Sequence, residues 1–278
     1  MKNYLQLLFP YAYNILGSVE DARDTVQEVI YKFTSKKVVP ENQKNYLIKA
    51  VINEAINLKK KKSRTQPMEN WLPEPMSTDR SDLALELREL VSYSILILLE
   101  KLNPKERAVF ILKEAFAYTH PEIAEVLGIS VESSRKLLSR GHQRLNEPLN
   151  PTRPKSKGDF DVLDRFVSAV RTKDLEGLQA LLSEDIAFTA DGGDKVKVVK
   201  RFCSGKTEVA EISILVHHRF LANKTIRTAW INHQPALIYY YKGKILTCQV
   251  FELGQDNQIL RISSIVDPEK LKNLTPNE

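Results

Sequence analysis

Lys136, Arg140 and Gln143 recur at spacings that put them along one side of a helix, with Glu132, Ser133, Arg135, Ser139 and Arg144 beside them. Side chains of this kind reach base edges and phosphate oxygens when their helix lies in the major groove of DNA. The opposite side of the same segment carries Val131, Ser134, Leu138, Gly141 and Leu145, so a helix from Val131 to Leu145 would bury one face and present a basic one. The residues in front supply a partner helix. Thr119 and Glu122 are spaced as a capping box with Pro121 in the first turn, Ile123, Ala124 and Leu127 share a face, Gly128 provides a turn, and Ser130 can cap the second helix. This is the pattern of a helix-turn-helix. A basic surface helix would use the same residue types, but the capped tandem arrangement favours DNA.

Other chemistry finds less support. The formal charge of +6 is spread over both halves of the 278 residues, so local clusters carry more information than the total. Cys203 and Cys248 have no metal or redox spacing and read as buried thiols of a reducing cytoplasm; neither metal nor cofactor is expected. No apolar run approaches membrane-spanning length. The stretch Tyr4 to Leu16 is interrupted by Gln6, Pro10 and Asn14 and reads as a domain helix rather than a signal peptide. His217, His218, His233, Asp185 and Tyr239 have acid–base side chains, but no spacing joins any two at one site, so catalysis is not expected.

The elements that must position these residues follow from periodicity and punctuation. Gly17-Ser18 stops one helix and starts another, in which Ala22, Val26, Val29 and Phe33 face inward while Asp21, Asp24, Gln27, Glu28 and Tyr31 face outward. After Pro40 a third helix carries Tyr46, Leu47, Lys49, Ala50, Val51, Ile52, Asn53, Ala55 and Leu58, and ends in Lys59, Lys60, Lys61 and Lys62, with Arg64 beyond. A proline-containing stretch around Trp71 shows no periodicity. Helical patterns return from Asp82 to Leu102 and from Pro104 to Ala117, the latter opened by the capping signal Asn103 to Glu106. A second proline-rich stretch precedes a different kind of domain. There, helices over Phe160–Val170 and Asp174–Leu182 lead into strands over 186–190, 196–202, 225–231, 236–241, 245–253 and 259–266, with a helix between Glu208 and Leu221. Helices followed by a meandering sheet predict an α+β domain.

Taken together, these features resemble the bacterial RNA polymerase sigma factors of the extracytoplasmic-function type. The segment Ser18-Val-Glu-Asp-Ala-Arg-Asp-Thr-Val-Gln-Glu-Val29 is similar to the family's acidic second-region helix. The segment Asn45 to Asn57 with the lysine run is similar to the one that opens the −10 element, and the helix-turn-helix stands where the fourth region reads the −35 element. Trp71-Leu-Pro-Glu-Pro75, Asp191-Gly-Gly-Asp-Lys195 and Asp267-Pro-Glu-Lys-Leu271 resemble three motifs of the subgroup with a fused SnoaL-like C-terminal domain. Two departures stand out: Tyr46 occupies a position where many relatives have Trp, and Asp194 replaces a glycine.

The resemblance implies a multidomain chain, with two all-α sigma domains and an α+β, cone-shaped SnoaL-like domain. Its expected divisions are 1–64 for sigma region 2, 65–81 for a linker with the Trp71 motif, 82–147 for sigma region 4, 148–158 for a second linker, and 159–278 for the regulatory domain. It implies core RNA polymerase, through its β′ clamp and β flap, and promoter DNA as partners, with the polymerase doing the chemistry. Asp21, Asp24, Gln27 and Glu28 would contact the polymerase. Tyr46, Lys49, Asn53, Lys59–Lys62 and Arg64 would contact the melted strand, where stacking on an aromatic ring is worth ~1–3 kcal/mol per base. Residues 71–75 (Trp71, Leu72, Pro73, Glu74, Pro75), 191–195 (Asp191, Gly192, Gly193, Asp194, Lys195) and 267–271 (Asp267, Pro268, Glu269, Lys270, Leu271) would make the regulatory contacts, the C-terminal domain replacing a separate anti-sigma protein. The rival expectation is a one-component DNA-binding regulator whose C-terminal pocket senses a small ligand.

Overall fold

In the computed structural model, residues 2–35, 40–62, 71–79, 89–145, 155–156 and 158–274 are described. They fall into two units, each with its own core. The first comprises residues 1–68, 81–91 and 95–149, and the second 69–80, 92–94 and 150–278.

The first unit is helical. Helices α1 (Lys2–Leu16), α2 (Val19–Thr34) and α3 (Gln43–Lys62) pack on one another through Leu8, Ala12, Ile15, Ala22, Val26, Leu47, Val51, Ile52 and Ala55, all buried. Ser18 caps α2 by accepting from the Asp21 amide. Helix α4 (Tyr93–Leu98), whose first two residues are counted with the second unit, runs into a 3-10 turn (Leu99–Lys101), followed by α5 (Pro104–Glu114), α6 (His120–Leu127) and α7 (Val131–Leu145). The helix expected from Asp82 lies outside the described residues as far as 88. Beyond that the backbone is non-helical from Glu89 to Ser92, where buried Asn14 donates to the Glu89 carbonyl (2.8 Å) and accepts from the Val91 amide (3.3 Å). A side chain of α1 thus satisfies the groups that a continuous helix would have paired. Asn103 opens α5 with the expected capping box, and the helix ends before Ala117, which has φ 55°.

The C-terminal part of the second unit carries α8 (Gly158–Thr172) and α9 (Leu175–Leu181), the latter capped by Asp174. Strand β1 (Leu182–Asp191) pairs with β2 (Phe202–Ser204). After α10 (Lys206–Val216) and a π turn (His217–Leu221), β3 (Thr225–Ile231), β4 (Gln234–Tyr241), β5 (Lys244–Leu253) and β6 (Ile259–Ile265) form a meander, and α11 (Pro268–Leu271) closes the described chain. The six strands are ordered β2-β1-β6-β5-β4-β3; β1 and β6 are parallel and every other pair is antiparallel. Phe166, Val170, Leu178, Ile186, Phe188, Leu237, Tyr239, Phe251 and Ile262 form the core between sheet and helices.

The β3–β4 turn has positive φ at Asn232 (45°) and His233 (64°), and the β4–β5 turn at Lys242 (51°) and Gly243 (75°). Both match the twist that two-residue hairpin loops require. The strand expected over 196–202 is absent. Residues 196–201 are irregular and only Phe202–Ser204 is extended, because the chain turns at Gly192–Val196 (Val196 amide to Gly192 carbonyl, 3.0 Å) and rejoins β1 late. The alternating Val and Lys of this stretch wall a cavity instead of a strand face.

Candidate nucleic-acid interface

The first turn of the helix-turn-helix forms as its residue types dictate. Thr119 accepts from the Glu122 amide while the Glu122 carboxylate accepts from the Thr119 amide (2.7 Å), and Pro121 sits in the first turn. Those bonds from Thr119 hold the Glu122 carboxyl below the usual carboxylate range. Gly128 ends α6 in the left-handed region (φ 61°), and Ser130 accepts from the Ser133 amide (3.1 Å) to start α7. His120 Nδ1 and Ser134 Oγ lie 2.9 Å apart, tying the two helices together.

On α7, Ser134, Gly141 and Leu145 are buried, and Val131 and Leu138 half-buried. Glu132, Arg135, Lys136, Ser139, Arg140, Gln143 and Arg144 are exposed, and Ser133 is half-buried. Lys136 pairs with Glu132 (2.6 Å) and Arg144 with Glu106 (3.4 Å). Among the described residues no carboxylate pairs with Arg135 or Arg140, so these guanidinium groups are available to an anionic backbone or a guanine edge.

The third helix is arranged less simply. Tyr46 is half-buried, its ring 5.9 Å from that of Phe33, and it lines a cleft of about 470 Å³ with Val29, Tyr31, Lys32, Ala50 and Glu54. Lys49 is exposed, whereas Asn53 donates to the carbonyls of Lys49 (2.8 Å) and Val126 (3.2 Å). Lys61 and Lys62 are exposed and Lys60 half-buried; Lys62 binds Asp21 (2.6 Å). Arg64 lies outside the described residues.

Lys59 corrects the expectation of a continuous basic run. It is 7% exposed, donates to the Leu16 carbonyl (3.1 Å) and pairs with Glu100 (2.7 Å). Glu100 also binds fully buried Arg107, whose Nε donates to the Asn14 carbonyl (2.9 Å). Burial and the nearby Arg107 bring the Lys59 ammonium down to about 8. For Glu100, burial pushes the carboxyl up, but Arg107 and Lys59 outweigh it and hold the group below its ordinary value. The sequence held a signal for this: Arg107 directly precedes the unbroken apolar run Ala108–Leu112, where an arginine needs a buried acid.

Helix α2 presents Asp24, Gln27 and Glu28 to solvent, with Glu28 bonded to Lys32 (2.7 Å) and Asp21 half-buried against Lys62. Tyr31, expected to face outward, is 73% exposed beside the Tyr46 cleft.

The Trp71 segment is not a spacer; it is built into the second unit. The Leu72 amide donates to Asp191 Oδ2 (2.8 Å), Lys270 donates to the Leu72 carbonyl (2.6 Å) and to Asp191, and the Lys270 ammonium lies 4.4 Å from the centre of the Trp71 ring. Leu72, Pro73, Glu74 and Pro75 are buried, and the Tyr93 hydroxyl donates to the Pro73 carbonyl (2.6 Å). Further on, Ser77 bridges to Ile231 and Thr78 donates to the Trp230 carbonyl (2.7 Å), covering part of edge strand β3.

Asp191 is held by its own loop, accepting from the Gly193 amide (2.8 Å). Gly192 and Gly193 are steric requirements: an added Cβ would lie 2.0 Å from the Val196 carbonyl oxygen or 2.3 Å from the Asp267 carboxylate. Asp194 is exposed and does not have positive φ, so the side chain that replaces glycine there is accommodated without strain. Asp267 caps α11 through the Glu269 amide (3.0 Å), Glu269 pairs with Lys195, Pro268 is exposed and Leu271 is buried. Three motifs separated in sequence therefore meet at one clamp.

The acid–base candidates do not assemble. His217 is buried and touches His218, which bonds the Val170 carbonyl (2.9 Å); His233 is in the β3–β4 turn, Asp185 is exposed, and Tyr239 is in the core. Among the described residues no helix is long and apolar enough to cross a membrane.

Residues 93–145 match the family model described as Sigma-70, region 4. The chain is 30% identical to the ECF RNA polymerase sigma factor SigJ of Mycobacterium tuberculosis, over 77% of this chain and 71% of that one. It is 24% identical to the probable ECF RNA polymerase sigma factor SigI of the same species, over 95% of this chain and 90% of the relative. The crystal structure of SigJ superposes with a TM-score of 0.77, covering 99% of this chain and 98% of that one at 24% identity, which establishes the shared fold. A helical chain ending in sigma region 4, joined to an α+β unit of this fold, belongs to the extracytoplasmic-function (ECF) RNA polymerase sigma factors.

Proposed function

We propose that this sigma factor brings core RNA polymerase to promoters through two modules, residues 1–64 and 82–147, and that residues 159–278 regulate it in cis. Helix α7 would read the −35 element with Arg135, Arg140 and Gln143, while Lys136 and Arg144 exchange their intramolecular carboxylates for phosphates. The outer face of α3, with Tyr46, Lys49, Lys60 and Lys61, would take the −10 strand. Asp24, Gln27 and Glu28 would meet the β′ clamp. The chain needs no catalytic residue of its own, and the work is done in the cytoplasm where the polymerase is.

The observation that carries the regulatory part is the seating of Leu72. Both of its backbone polar groups are bonded to Asp191 and Lys270, so the segment joining the two promoter modules is held by the C-terminal unit. The helical unit also has a closed form of its own. Asn53, expected at the −10 strand, bonds the Val126 carbonyl, and the Tyr11 and Phe116 rings stack with centroids 3.9 Å apart. With Asn53 engaged internally, promoter binding would be reduced by the fraction of time spent closed.

Co-elution tests the reading. The full chain should elute with core polymerase in gel filtration and hold genomic promoter fragments only in its presence. Tight DNA binding without polymerase, and no co-elution, would instead support the one-component regulator.

A further inference from the structure

The second unit contains a cavity of about 490 Å³ that no part of the promoter mechanism uses. It falls within the ~300–1,000 Å³ range of small-molecule sites. Phe188, Ala190, Val196, Val198, Val216 and Leu221 give it an apolar interior. Four cations stand among its lining residues, Lys197, Lys200, Arg219 and Lys224, and none of the lining residues is acidic. Lys200 is engaged by Glu208 from outside the lining, and Lys224 lies over the Tyr241 ring at 3.6 Å. Among the described residues no carboxylate pairs with Lys197 or Arg219, and both are exposed.

The polar groups of the floor are already occupied: the Thr247 hydroxyl donates to the Ile265 carbonyl (2.8 Å) and lies 3.4 Å from the Ser264 hydroxyl. A charged head group placed there would lose its hydration without a cation to replace it. At the rim it meets cations while keeping part of its water. An apolar interior, a neutral floor and a one-signed rim together select a molecule with an apolar body and an anionic end.

We propose that this cavity binds a small amphiphilic anion, body inward and head against Lys197 and Arg219. The site is one residue from the clamp, since Ala190 precedes Asp191 and Val266 precedes Asp267. The binding claim itself does not depend on the promoter reading.

Isothermal titration of the full chain with decanoate, decanol and decyltrimethylammonium tests it. Decanoate should bind with a Kd on the order of 10–100 μM, within reach of about a dozen non-hydrogen atoms. It should bind more tightly than decanol, and the cation should be excluded. Lys197→Glu combined with Arg219→Glu, at exposed positions that leave the core intact, should weaken decanoate by roughly tenfold or more while decanol is unaffected. Absence of decanoate binding at millimolar concentration, equal binding of the cationic amphiphile, or unchanged decanoate affinity in the double variant would overturn the proposal. So would capture of the chain by anionic phosphatidylglycerol vesicles without binding of free decanoate, which would make the half-exposed Phe220, Tyr241 and Val199 a membrane-docking patch.

Discussion

Lys59 looks like the first member of a phosphate-binding run but is placed as half of a buried ion pair, sharing Glu100 with Arg107. Two cations around one acid are stable only while that acid is charged. Glu100→Gln should therefore destabilise the chain by about 3–5 kcal/mol in urea unfolding, because it leaves both cations uncompensated; a loss under about 1 kcal/mol would show that the triad is solvated. The pH dependence has a defined sign. Lys59 is brought from 10.5 down to about 8 in the fold, so between those values the unfolded chain holds a proton that the folded chain has lost. Through this group stability rises with pH across that window, and the gain is lost as pH falls toward 8. Lys59→Met should remove the rise, seen as a difference between the two unfolding profiles from pH 8 to 10; parallel profiles would contradict it. On the DNA side, Arg140→Ala should cost ~1–3 kcal/mol of promoter affinity and relax preference at one base position. A uniform loss across all sequences in a binding selection would make Arg140 a phosphate contact instead.

At the scale of elements, local rules sufficed where side chain and backbone answer to each other within a few residues. The Thr119–Glu122 box, the Gly128 turn and the Ser130 cap are all in place, as are four strands of the meander with their turns. Thr119→Ala should lower stability by about 0.5–2 kcal/mol, since it strips one bond from the α6 amides without touching the exposed face of α7. Thermal unfolding and promoter affinity measured together check this: a changed base preference would mean that the cap sets the recognition helix rather than merely stabilising its neighbour. Legibility ended where an element is defined by something distant. The non-helical backbone of Glu89–Ser92 is bonded by Asn14, and the Trp71 segment is seated by Asp191 and Lys270. Periodicity reports only the face an element buries, not the partner that interrupts it. The clamp was legible as three motifs through their family resemblance, but the bonds joining them were not.

For the molecule as a whole, the clamp makes residues 71–79, the segment between the two proposed promoter modules, part of the second unit. Removing the chain from Asp267 onward deletes Lys270, leaving the Leu72 carbonyl and the Asp191 carboxylate without their cation, and deletes the Asp267 amide that donates to the Asp191 carbonyl at 3.1 Å. The segment should then be released more often, and the modules would reach their promoter spacing more readily. Deleting everything from Lys157 is different, because it uncovers Leu72, Pro73 and Pro75, which are buried in the intact chain; that truncation should lose activity. The deciding measurement is run-off transcription by core polymerase from a selected promoter, with the full chain, the chain ending at Val266 and the chain ending at Ser156 at matched soluble protein. Promoter-specific transcripts should appear with the full chain, more with the Val266 truncation and few with the Ser156 truncation. No promoter-specific transcript from the full chain or the Val266 truncation would contradict the sigma mechanism, and equal output from those two would contradict the clamp as its regulator.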